Sequence, residues 1–292
     1  MAFFFEVLIN GLLVGVMYSL VALGFALIYK ASDVFNFAQG DMSLLAGLAL
    51  VGFLTVMPLW LAILCTIGVM TILAYGTVYM VFRPLLARPP LILFMAAIGL
   101  SFLVQGIGQA IWGTDAKGLN IGIPDNPIEF GEIWISSFDL IFGAVAGILV
   151  LLLVLFFQKT RTGRALRAVA DDHEAALSVG IPLLRAWAVT WVVAGIVATV
   201  AGIAWGSRLG VQFSLSLIAL KALPVLILGG IDSIPGAILA GLVIGAGENL
   251  AEVFLGPYVG GGIQTFFPYL VALIFLWFKP YGMFGKEIIE RV

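Results

Sequence analysis

Continuous apolar runs, not alternating ones, dominate the chain. Residues 7–29, 42–82, 89–114, 140–158, 186–207 and 253–278 contain no Asp, Glu, Lys or Arg. A helix needs about 20 mostly apolar residues to cross the hydrocarbon core of a bilayer, so each stretch can hold one crossing and the longest can hold two. Runs such as Ile141 to Phe157 lack the alternation that a membrane β-barrel strand requires. Breaks at proline, glycine and charge divide the chain into nine apolar segments, about 6–29, 41–56, 59–82, 91–112, 138–157, 187–206, 213–230, 235–255 and 263–278. The second and seventh are short. The pattern therefore predicts an all-α polytopic transmembrane helical bundle with eight or nine membrane segments, some of them short or broken.

Composition sharpens this reading. Of 292 residues, 62% are apolar and 10% charged, against roughly 45–50% and 25% in soluble domains. The stretch from Phe3 to Tyr29 has neither a basic region before it nor a small-residue cleavage site after it, and reads as a retained first helix rather than a signal peptide. The whole chain, 1–292, is expected to form one transmembrane domain.

Lys and Arg in short loops set the sidedness of such a bundle. Ten of the fourteen basic residues fall in the 83–90 loop, the 158–186 loop and the C-terminal tail, which includes Lys286 and Arg291; these places are assigned to the cytoplasm. The 113–137 loop carries Asp115, Asp125, Glu129 and Glu132 against one Lys117, as expected of an outer face. Nine crossings then put the N-terminus outside and the C-terminus inside. Arg208, near an outer end, is the exception.

Small residues recur every four positions in two segments, at Ala194, Ala198, Gly202 and Gly206 and at Ala237, Gly241 and Gly245. Such stripes let a second helix approach closely, within the bundle or at a subunit interface.

The chemistry on offer is sparse. Cys65 and His173 are each the single residue of their kind, so no Cys/His metal site can be composed and no cofactor is implied. The one Gly-Lys pair, Gly285-Lys286, precedes Glu287 and not the Ser or Thr of a phosphate-binding loop, so any ATP must be hydrolysed by another chain. Nothing points to nucleic acid.

Four features remain. Between segments one and two, Tyr29 to Asp41 is polar and helix-breaking. It is either a cytoplasmic turn or an unwound stretch at membrane depth lining a polar path, with Asn36, Phe37, Gln39, Gly40 and Asp41 as its candidate residues. In segment eight, Glu248 and Glu252 share a helical face. Glu248 is the deeper and is either a pathway residue or an interfacial anchor. Lys221 and Asp232 flank segment seven, whose Pro224 suggests a kinked or broken helix. The 158–186 loop is too elaborate for a connection. Asp171 is a candidate N-cap with Glu174 three residues on, and Gly180 followed by Pro182 fits a helix stop, which outlines a helix of about eight residues suited to cytoplasmic docking.

At these same residues the chain resembles the permeases of bacterial ABC importers for branched-chain amino acids, of the high-affinity leucine/isoleucine/valine type. The resemblance runs from Gly11 through Asn36-Phe37-Ala38-Gln39-Gly40, where the family usually has Asn-Phe-Ala-His-Gly. It continues in Arg164 to Gly180 with Glu174-Ala175-Ala176, and in Leu228 to Ala237 within Lys221 to Gly245. Gln39 in place of His removes a titratable group, and the usual Ile-x-Leu-Pro continuation after Gly180 is absent.

What the resemblance implies is a non-catalytic permease subunit in a bacterial plasma (inner) membrane, surrounded by lipid. Its partners would be a second related permease, two cytoplasmic ATPase subunits and an extracytoplasmic solute-binding protein. The 158–186 loop would couple to an ATPase through Arg164, Glu174, Ala175, Ala176 and Gly180, and a small-molecule substrate would pass by alternating access. The same architecture serves importers of urea, short amides or other small polar solutes. A self-sufficient channel or secondary transporter, and a membrane enzyme built on Glu248 and Glu252, are the rivals from other classes.

Overall fold

The computed structural model describes residues 2–86, 88–123, 126–131 and 133–285. Asp125, Glu132, Lys286 and Arg291, and the side chain of Glu174, lie outside the described residues. Among those described, all nine apolar segments fall on helices.

Helix α1 spans Ala2–Ser32, α2 Gln39–Leu54 and α3 Leu59–Gly76, the last prolonged by a wide π-helical turn over Thr77–Phe82 and a 3-10 turn over Arg83–Leu85. Helix α4 (Pro90–Trp112) starts on Pro90, whose missing N–H costs nothing in a first turn. A hairpin of β1 (Pro127–Phe130) and β2 (Ile133–Ser136) pairs antiparallel, with Ile128 opposite Ile135. Then follow α5 (Ser137–Lys159), the two short helices α6 (Arg161–Asp171) and α7 (His173–Ser178), and α8 (Leu183–Leu209). A 3-10 turn over Phe213–Leu217 leads into α9 (Ile218–Gly229), and α10 (Ile234–Val259) and α11 (Ile263–Phe278) close the described chain.

Among the described residues, six helices are long and apolar enough to cross a membrane: α1, α3 with its extension, α4, α5, α8 and α10. Three apolar helices are shorter: α2, the Phe213–Gly229 stretch and α11. Shortness in the second and seventh segments was legible from the sequence; in the seventh it comes from a change of helix type before α9.

The chain folds as two compact units, each discontinuous in sequence: residues 1–26, 122–150 and 220–292 form one, and 27–121 with 151–219 the other. In the first, α1 and α10 cross at glycines. A Cβ on Gly15 would lie 2.5 Å from the Gly241 carbonyl oxygen, and one on Gly245 would lie 2.4 Å from the Gly15 Cα. Only hydrogens fit, so backbones touch and gain the dispersion contacts that lipid cannot supply as hydrophobic drive. Ser19 Oγ donates across this crossing to the Ile238 carbonyl at 3.0 Å. The hairpin is tied to the start of α1, with the Trp134 N–H donating to Glu6 Oε2 at 3.1 Å.

In the second unit α2 packs against α3, α4 and α8. Gly202 of α8 faces the α2 backbone, where a Cβ would lie 2.2 Å from the Ser43 carbonyl oxygen. Gly206 is closed off by Val211, and Ala194 and Ala198 are fully buried. Around them Phe82 and Trp191 meet at 5.1 Å between ring centroids within a continuous core that includes Met42, Met70 and Val104.

Candidate functional site

The helix α1 ends where Asp33 takes a left-handed conformation, φ 52°. Aspartate is among the few L-residues that visit this region readily. Residues 33–38 are not helical, yet the segment is no solvated turn: Val34, Asn36, Ala38 and Gln39 are buried within the second unit. Buried backbone and amide groups must find partners inside the protein. Asn36 Oδ1 accepts from the Ala38 N–H at 3.2 Å, and its Nδ2 donates to Gln39 Oε1 at 3.2 Å. Gln39 Nε2 in turn reaches the Ala194 carbonyl of α8 at 3.5 Å. Phe37 stacks edge-on against Phe94 at 5.2 Å.

Asp41, in the first turn of α2, anchors the other end of this polar strip. Its Oδ1 accepts from Gln105 Nε2 at 2.9 Å, its Oδ2 from the Ser101 hydroxyl, and Ser216 is a third side-chain partner. Gly40 lies against the same 3-10 turn, where a Cβ would sit 2.2 Å from the Ser216 carbonyl oxygen. Asn36, Gln39, Gly40 and Asp41 thus share one buried polar strip. Sequence reasoning missed Ser101, Gln105 and Ser216. The signal for the first two was present: Ser101 and Gln105 are polar neighbours at i,i+4 in a segment without charge.

On α8, the indole Nε1 atoms of Trp187 and Trp191 are buried without a hydrogen-bond partner among the described residues. Both belong to the packed cluster that holds Val34, Ala38 and Met42.

Glu248 does not join that strip. It lies in the first unit, with its side chain 5% exposed and Oε1 2.9 Å from Lys221 Nζ. Tyr18 Oη donates to the same carboxylate at 3.4 Å, and Lys221 also donates to the Gln264 carbonyl at 3.3 Å. Glu252 has a different task. Its two oxygens accept from the Gly262 and Gln264 N–H groups at 2.9 and 3.0 Å, fixing the turn between α10 and α11.

The 158–186 loop folds as α6 and α7. Thr160 caps α6, its hydroxyl accepting from the Gly163 N–H at 2.9 Å. Gly163 packs on the end of α5, where a Cβ would lie 2.2 Å from the Phe156 carbonyl oxygen. Leu166 and Val169 are buried while Arg161, Arg164 and Arg167 are exposed. The cap of α7 is Asp172, whose Oδ1 accepts from the Ala175 N–H at 2.9 Å; Asp171, the expected cap, is the last residue of α6. The one-residue shift places Ala175, not Glu174, at the third helical position, where the expected capping pattern calls for Glu.

Gly180 is the stop. At φ 81° it donates to the Leu177 carbonyl while Ile181 donates to the Ala176 carbonyl, both at 3.0 Å, the paired bonds of a Schellman motif. Ala176 is buried, Ala175 is exposed, and Leu177 and Val179 stand out at 52% and 74% exposure.

Residues 7–277 match the family model described as the branched-chain amino acid transport system / permease component. The chain is 30% identical to the high-affinity branched-chain amino acid transport system permease protein BraD of Pseudomonas aeruginosa, over 99% of this chain and 98% of BraD. It is 29% identical to the permease protein LivH of Salmonella typhimurium, over 99% and 98% of the two chains. With the probable branched-chain amino acid transport permease protein LivH of Methanocaldococcus jannaschii it shares 27% identity over 92% and 88%.

Proposed function

The chain belongs to the branched-chain amino acid transport system permease family, and from that premise we propose that it is the transmembrane permease of an ATP-driven ABC importer. It carries leucine, isoleucine, valine or close relatives into the cytoplasm by alternating access. It works beside a second related permease, two ATPase subunits inside and a solute-binding protein outside, with its N-terminus outside and its C-terminus in the cytoplasm. The premise sets the class of transporter. The structural observation in its favour is the buried polar strip Asn36–Asp41, which sets amide and carboxylate groups inside a largely apolar core.

A polar solute crossing such a unit needs donors and acceptors to replace its water. Asn36, Gln39 and Asp41 provide them by exchanging the internal bonds of the closed strip for bonds to the solute when the unit opens, Phe37 offers an apolar wall for an aliphatic side chain, and Gly40 keeps the strip close to Ser216. The unspent indole donors of Trp187 and Trp191 in the same cluster suit a carboxylate when the unit opens. Glu248, locked to Lys221 in the first unit, is a second candidate for the path, as a paired and not a free charge.

Coupling falls to α7. Exposed Leu177 near its end and Val179 just after it form an apolar knob beside Ala175, the surface an ATPase groove would cover, and the Schellman stop at Gly180 holds that knob rigid. Arg164, exposed on α6, and Glu174 are assigned to the same docking element by their sequence positions. The gating motion follows when closure of the ATPase pair moves α7, and with it α6 and α8, against which it packs.

The test is uptake of radiolabelled leucine, isoleucine and valine, against urea and a short amide, into vesicles holding the complete transporter and its solute-binding protein. Glu174→Lys should abolish uptake while the complex still assembles and hydrolyses ATP. Normal uptake by that variant overturns the docking role. Uptake of urea or the amide in place of the amino acids overturns the substrate.

A further inference from the structure

Lys221 stands where α9 leaves the polar strip. The chain passes from the second unit to the first at 219–220, inside the first turn of α9. Just before that point the strip holds it. Ser216 is a side-chain partner of Asp41, and a Cβ on Gly40 would lie 2.2 Å from the Ser216 carbonyl oxygen and 2.7 Å from the Ala219 Cβ. Just after that point Lys221 is held within the first unit. Its Nζ lies 2.9 Å from Glu248 Oε1, 3.4 Å from Tyr18 Oη and 3.3 Å from the Gln264 carbonyl oxygen, so one ammonium gathers α1, α10 and α11.

The far end of α9 is clamped by backbone. The Met283 and Phe284 N–H groups donate to the Leu228 and Gly229 carbonyls at 2.8 and 3.1 Å, and a Cβ on Gly229 would lie 2.3 Å from the Gly236 carbonyl carbon. Those two carbonyls belong to the last turn, which a helix leaves without internal partners. Between this clamp and Lys221 stands Pro224. It has no N–H to give the Leu220 carbonyl, so one rung of the helix is missing there.

We infer that the Lys221–Glu248 pair is a latch: it holds the first turn of α9, and with it the Ser216 side of the polar strip, in the closed arrangement, and it parts when the strip opens. Lys221 is then a positioning residue. It acts on the strip through the chain, since the 3-10 turn over Phe213–Leu217 runs into α9 without a break. Stability alone is a weak reason for such a pair, because apolar side chains of the same volume do as well; a switch is the better-attested use. The geometry suits one. Glu248 is fixed at 5% exposure, whereas Lys221, at 29%, can exchange its carboxylate partner for water. Pro224 gives the helix a place to bend above the clamp. The inference rests on the strip being the path, and not on which solute passes.

The experiment reads the strip directly, in the assembled transporter in proteoliposomes, on a Cys65→Ser background. Ser216→Cys reports opening through its rate of labelling by a membrane-impermeant maleimide. Thr66→Cys, at a fully buried position on α3, reports general loosening of the fold. Lys221→Met with Glu248→Gln removes the latch and leaves a neutral site. It should speed labelling at position 216 by at least about fivefold, the lower end of a coupling between sites, and leave position 66 unchanged. Glu248→Gln alone should shift position 216 the same way, and Lys221→Arg, which keeps the cation, should stay near the parent. Unaltered labelling at position 216 in the double variant, an equal rise at position 66, or a rise in Lys221→Arg as large as in the double variant each overturns the latch. Leucine uptake by the same vesicles tests the path separately. If full labelling at position 216 leaves uptake intact, the strip is not the path, while the labelling ratios still decide the latch.

Discussion

Replacing Lys221 with Met removes one half of a pair whose other half cannot escape to water. At 2.9 Å, with Glu248 5% and Lys221 29% exposed, the attraction is about 6 kcal/mol at an effective dielectric near 20. Desolvation of both charges cancels much of this, so the pair's net worth is small. Breaking it is another matter. Lys221→Met leaves a buried carboxylate held by Tyr18 and without its cation, which should cost about 3 kcal/mol. Glu248→Gln leaves an ammonium that is already partly exposed and can turn outward, so about 1–2 kcal/mol is expected. The double variant restores a neutral site of similar volume and should fall within about 1 kcal/mol of the parent, giving a coupling energy of about 3 kcal/mol. The assay is unfolding by SDS in mixed micelles, read by tryptophan fluorescence for all four proteins. Additive single-variant losses would refute the pairing and the burial argument with it.

Other expectations follow from the same geometry. Gly245→Ala must push α1 and α10 apart by about 1 Å and should cost about 1–3 kcal/mol in the same assay. Gly76→Ala, where a Cβ meets nothing within 4 Å, should be neutral or stabilise by up to about 1 kcal/mol. Asp41→Leu strands the donors of Ser101 and Gln105 and should cost about 1–3 kcal/mol; if the strip is the path, leucine uptake falls further than the loss of folded protein explains. Asp172→Ala should remove about 1 kcal/mol of cap energy from α7, and Gly180→Ala about 1–2 kcal/mol through its left-handed backbone. Both should lower substrate-stimulated ATP hydrolysis in the assembled transporter, and Gly180→Asn, which tolerates that conformation, should keep more of it.

How much of this was legible in advance varies with the range of the interaction. Membrane segments appeared in the sequence because an apolar run is a local property: about 20 residues must satisfy their own backbone in a helix to enter lipid. Gly180 as a helix stop was equally local, needing one residue free to adopt a positive φ. The α7 cap lay at the margin of such reasoning, since Asp171 and Asp172 are both competent and only the end of α6 decides between them.

Partnership was another matter. Asp41 with Ser101, 60 residues away, and Glu248 with Lys221, 27 away, meet only when helices pack. No residue's chemistry names its distant partner. Sequence alone therefore determined which residues enter the membrane and where helices break. Tertiary structure decided that the Asn36–Asp41 break is buried and spent on internal hydrogen bonds, because burial and pairing are properties of packed neighbours and not of the chain's order.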